Sequence, residues 1–74
     1  MKKDDFYIQI KQVLELYENK VNGRTTIHLS SLQTLAVIAF ADEKFRKRVK
    51  ISDLREVKTI SDLMTVLGAE NFTE

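Results

Sequence analysis

The 74-residue sequence has no cysteine, no proline and no tryptophan, only two glycines and only one histidine. Each scarcity excludes something. Without cysteine there is no disulfide framework and no thiolate metal site. With His28 as the single imidazole, a histidine-rich metal centre is excluded as well. With no proline, and glycine only at positions 23 and 68, little interrupts helix, and the many Leu, Lys, Glu and Ala residues favour it. No apolar run approaches the roughly 18 residues of a transmembrane helix. Met1-Lys2-Lys3 is followed by Asp4 and Asp5 rather than by an apolar segment. A signal peptide is therefore not expected, and a reducing cytoplasm is the expected location.

What is present is ordinary for a soluble globular chain: 43% hydrophobic and 31% charged residues, which argues against disorder. The length suits a single domain, residues 1–74, with a thin core, since a chain this small buries only about 60% of its unfolded surface. Twelve basic residues against eleven acidic ones give a net charge of +1, with no overall pull toward nucleic acid or membrane. The charge is nevertheless clustered in mid-chain, at Lys44, Arg46, Lys47, Arg48 and Lys50. The plain reading is a solvated helix end facing the negative pole of the helix dipole. Nucleic-acid binding calls for a wider basic face with a reading helix or stacking aromatics.

Apolar residues at Phe6, Ile10, Val13, Leu14, Tyr17 and Val21 mark one face of a first helix from about Asp4 to Lys20. Asp4 and Asp5 suit its first turn, and Asn22-Gly23 suits its end. Residues 22–29 read as a loop. Thr25-Thr26-Ile27 could be extended there, but a single strand has no partner. A second helix is predicted from about Ser31 to Arg46, with Ser30 as its N-cap. It is apolar almost all round, as buried helices are. A short helical turn is expected at 52–57. A last helix opens at Thr59 with the capping-box variant Thr59-Ile60-Ser61-Asp62, carries Leu63, Val66 and Leu67 inward, and stops at Gly68. The tail from Ala69 to Glu74 reads as loose. The sum is an all-α fold, a small bundle of three main helices plus one short one.

The helix order meets a serine motif at this point. Ser30-Ser31-Leu32 opens the second helix, and the block from Leu29 to Leu67 resembles the acyl carrier proteins, a phosphopantetheine-binding carrier family. That family has Asp-Ser-Leu here, and its serine bears 4′-phosphopantetheine. Leu35, Val37, Ile38, Ala41 and Phe45 fall where the family keeps second-helix core residues. Glu43 with Phe45, then Val49, Val57 and Thr59-Ile60, match in order and spacing without a gap. The first helix fits by position and pattern alone, and the loop after it is shorter than the family norm. Ser30 replaces the family's Asp; both are good N-caps, but a carboxylate beside the modified serine is gone. The family's acidic second helix is also missing. The outward face is expected at Gln33, Ala36, Phe40 and Glu43, where only Glu43 is charged; the alternative is a rotated helix with Phe40 in the core.

The resemblance implies a non-enzymatic carrier, with Ser31 holding a covalent phosphopantetheine arm derived from CoA, acting in fatty-acid, polyketide or related synthesis. Implied partners are a phosphopantetheinyl transferase and acyl-transferring or ketosynthase-type enzymes, meeting a monomer at Leu32, Gln33, Ala36, Phe40 and Glu43. Leu32, Leu35, Ile38 and Leu54 would line an acyl cavity. No nucleic-acid partner and no membrane insertion are expected; on the resemblance, the alternative to a solvated helix end for the Lys44–Lys50 cluster is a docking patch for an acidic partner. The alternatives are an unmodified carrier-like binding or regulatory module, motivated by the missing Asp, and a small nucleic-acid-binding helical protein. His28, three residues before Ser31, invites a hydrolase reading. A triad also needs a base oriented by a third group and an oxyanion hole; Gly-x-Ser-x-Gly is absent, and no deep pocket is expected in 74 residues. His28 is expected to be a solvated loop residue.

Overall fold

In a computed structural model describing residues 1–74, three α-helices form the fold: α1 at Lys3–Val13, α2 at Ser31–Phe45 and α3 at Ile60–Leu67. Short 3-10 turns lie at Ile51–Leu54 and Ala69–Asn71. The chain is thus a small all-α bundle. No helix is long and apolar enough to cross a membrane.

Asp4 and Asp5 occupy the first turn of α1, where the helix dipole favours anions. The helix turns Phe6 and Ile10 fully inward. It was expected to run to Lys20 but ends at Val13. Glu15 takes a positive φ of 53°, its amide donates to the Gln12 carbonyl and the Leu16 amide to the Lys11 carbonyl. This is the left-handed termination with paired backward hydrogen bonds. The physical reason lies in the side chains. The reversal packs Leu16 against the core beside buried Leu14 and leaves Tyr17 95% exposed; a continuing helix would have carried Leu16 away.

The extended piece at Thr25–Ile27 does have a partner. Thr26 pairs antiparallel with Thr59, the Ile27 amide donates to the Lys58 carbonyl at 2.8 Å, and the Ile60 amide donates to the Thr25 carbonyl at 3.0 Å. Ile27 is buried as a result. The loop after α1 is therefore sewn to the segment that enters α3. That segment ends in the predicted cap. Thr59 Oγ1 accepts from the Asp62 amide at 3.1 Å, and the Asp62 carboxylate accepts from the Lys58 and Thr59 amides at 3.0 and 3.1 Å. Those backbone donors, Lys58 first, hold the Asp62 carboxyl below the usual aspartate range. Ile60, Leu63 and Leu67 of α3 are fully buried, and Gly68 ends the helix at φ 100°.

The turn expected at 52–57 begins and ends earlier, at Ile51–Leu54, because the Asp53 carboxylate accepts from the Lys50 amide at 2.9 Å and starts it there. The tail is not loose. Phe72 is 8% exposed and meets Phe6 edge-on at a centroid distance of 4.8 Å and Phe45 at 5.3 Å. The Lys3 amide donates to the Thr73 carbonyl and the Thr73 amide to the Met1 carbonyl, at 2.8 and 2.9 Å. Lys3 Nζ donates to Glu74 Oε1 at 2.7 Å, which raises the Lys3 pKa and lowers that of Glu74. Aromatic burial outweighs the usual fraying of a chain end.

Candidate functional site

The start of α2 is built around one glutamine. Ser30 is the N-cap: its Oγ accepts from the Gln33 amide at 3.1 Å, and Gln33 Oε1 accepts in return from the Ser30 amide at 3.0 Å. This reciprocal box satisfies donors that a helix start leaves free. Gln33 has one group left, and its Nε2 donates to the Leu14 carbonyl at 3.0 Å. Leu14 stands at the C-terminal cap of α1. One side chain thus closes α2's first turn and ties it to the end of α1. Thr34 adds a hydroxyl bond to the Ser30 carbonyl at 2.9 Å.

Ser30 and Ser31 are therefore different in kind. The Ser30 hydroxyl is engaged in the cap. Ser31, the first residue of α2, is exposed and points away from the core on a backbone held from both sides. The amides of this first turn face outward, as they do at any helix start. Leu32 next to it is 80% exposed and Leu35 57% exposed.

Among the residues expected on the docking face, Leu32 and Glu43 are exposed, Ala36 is half-buried and Gln33 is committed to the cap. Phe40 is a correction: it is a core residue, 7% exposed, against Phe6 and Phe45. The outward row of α2 is Leu32, Leu35, Ala39 and Asp42, about one residue around the helix from the expected row. The same rotation moves Leu35, expected in the core, to the surface. Val37 and Ala41 are buried as expected.

The four residues expected to line one acyl cavity do not converge. Leu54 lines a groove of about 560 Å³ between the approach to α2 and the first 3-10 turn, with His28, Leu29, Thr34, Arg55 and Lys58. Leu35 and Ile38 line another, of about 510 Å³, beside Val49. Leu32 belongs to neither. The largest groove, about 700 Å³, lies between α1 and the loop after it, around Tyr7, Ile8 and Tyr17. His28 is exposed on the loop before α2. In the basic cluster Lys47 is half-buried and the others are exposed.

The role of Gln33 was missed in the sequence, yet its signal is there: Ser30-Ser31-Leu32-Gln33 is a Ser-x-x-Gln capping box. Comparison with protein-family models, with curated proteins and with solved structures finds no match for this chain.

Proposed function

We propose that this protein is a carrier, which presents Ser31 for attachment of 4′-phosphopantetheine and delivers acyl groups held on that arm as thioesters. The observation that carries this reading is the division of labour between the two serines. Ser30 holds the helix start closed, and that frees Ser31, exposed one position further in, to be esterified without loss of the cap.

The surroundings fit such a group. A phosphodiester on Ser31 Oγ would lie at the positive end of a 15-residue helix, near outward-facing amides. The 560 Å³ groove, which Leu29 and Thr34 reach from either side of Ser31 in the chain, has an apolar lining in Leu29, Ile51, Leu54 and Val57, with the cations Arg55 and Lys58 and no carboxylate. The arm would supply the thiol that this cysteine-free chain lacks. The chain's own task is to hold Ser31 in a fixed, accessible place, which the Gln33 bonds to Ser30 and Leu14 do. Activation of the hydroxyl belongs to the transferase, and the chain does no bond chemistry. Fatty-acid, polyketide and related syntheses are the pathways this reading points to, with the transferase and acyl-handling enzymes as partners.

A second reading is an unmodified binding module. Ser30 in place of a carboxylate, together with the exposed Leu32 and Leu35, favours it. Incubation with CoA and a broad-specificity phosphopantetheinyl transferase, followed by intact mass, separates the two.

A further inference from the structure

The cations that follow α2 are unpaired. The chain's ion pairs are Lys3–Glu74 at 2.7 Å and Lys44–Glu43 at 4.0 Å. Arg46, Arg48 and Lys50 are exposed and take part in neither. Two of them, Arg48 and Lys50, line the 510 Å³ groove together with Leu35, Ile38, Ala39 and Val49. Leu35 is 57% exposed at this groove, and Ile51, just beyond Lys50, is 55% exposed. An apolar strip thus runs beside two cations that form no ion pair, with Asp42 the one carboxylate in the lining.

We propose that this groove receives an acidic amphipathic helix of a partner protein. Its apolar side chains would lie on Leu35, Ile38, Ala39 and Val49, and its carboxylates would face Arg48 and Lys50. Apolar contact removes exposed Leu35 from water. The opposed charges orient the helix and speed its encounter. A phosphate polymer fits worse. A phosphate backbone brings nothing to cover the apolar strip and cannot choose which side chains it meets, whereas a helix can set carboxylates over Arg48 and Lys50 and an uncharged residue over Asp42. An anionic lipid surface likewise cannot keep its charge off Asp42 in the lining or off exposed Glu43, as a helix with placed carboxylates can.

The surface does not include Ser31, so the test is run on Ser31→Ala protein and stands apart from the carrier reading. Two synthetic helical peptides share leucines at i, i+3, i+4 and i+7; one carries glutamates beside them, the other lysines. The glutamate peptide is expected to shift NMR amide signals from Leu35 to Asp42 and from Arg48 to Lys50. Its Kd should weaken about tenfold between roughly 0.05 and 0.5 M salt. Arg48→Glu with Lys50→Glu should weaken it about tenfold at low salt, with the helical circular dichroism unchanged. The single variants give the same readout if the double variant loses that signal. The proposal is overturned by equal binding of both peptides, by shifts confined to another face or by indifference to the charge reversal. Tighter binding of duplex DNA or of phosphatidylserine vesicles overturns it too, as does no binding up to about millimolar peptide.

Discussion

Gln33 Nε2 donates to the carbonyl of Leu14 at 3.0 Å, joining the first turn of α2 to the last residue of α1's cap. The same side chain accepts from the Ser30 amide. The serine that we propose carries the arm therefore sits on a helix start fixed from two directions. Truncation removes both bonds. Gln33→Ala should destabilise the fold by about 1–2 kcal/mol, measured by urea unfolding, and Gln33→Glu should keep the box but lose the Leu14 bond. Equal stability of Gln33→Ala and the parent would show that the bond to α1 contributes nothing.

Phe72 predicts a second outcome. It fills the space between Phe6 and Phe45 at 4.8 and 5.3 Å. Phe72→Ala should cost about 3–5 kcal/mol, a large share of a small domain's stability. Thermal unfolding followed by circular dichroism checks this. A Tm within a few degrees of the parent would mean that the tail is not part of the core.

Gly68 ends α3 at φ 100°, and a Cβ there would stand 2.7 Å from Glu70 Oε1 and 2.8 Å from Asn71 Nδ2. Gly68→Ala is expected to destabilise by about 1–3 kcal/mol through backbone strain. The double variant Gly68→Ala/Glu70→Ala should recover only the part due to crowding against Glu70. Full recovery in chemical denaturation would place the whole effect in the side chains.

Acid sensitivity follows from the cap of α3. The Lys58 and Thr59 amides hold the Asp62 carboxyl below its ordinary value of 3.8. The unfolded chain takes up that proton first as pH falls. The cap's stabilisation is therefore complete above pH 3.8 and is lost as pH drops through the lower native value. Asp62→Asn should flatten that part of the stability–pH curve, and an unchanged acid limb would contradict the assignment.

Much of this was legible in the sequence. Ser30, the Thr59–Asp62 box and Gly68 carry local signals that need no tertiary context, and the structure uses each of them as a boundary. The end of α1 was harder. The spacing of Tyr17 and Val21 continues a helical stripe, whereas Leu16 lies off it, and in the structure partly buried Leu16 packs on the core while Tyr17 is exposed. The face of α2 was ambiguous because residues 35–41 are apolar all round; packing of Phe40 on Phe6 chose the rotation. The pairing of Thr26 with Thr59 joins segments distant in sequence, and no local pattern announces it. Ser31 was read from the motif and is exposed, while of the expected apolar lining Leu35 and Ile38 lie at one groove, Leu54 at another and Leu32 at neither.

The carrier assignment is tested most directly by intact-mass spectrometry after incubation with CoA and a broad-specificity phosphopantetheinyl transferase, with a standard carrier as control. The account predicts the addition of one phosphopantetheine to the parent and to Ser30→Ala, and none to Ser31→Ala. An unmodified parent beside a fully modified control, or modification that survives Ser31→Ala, would contradict it.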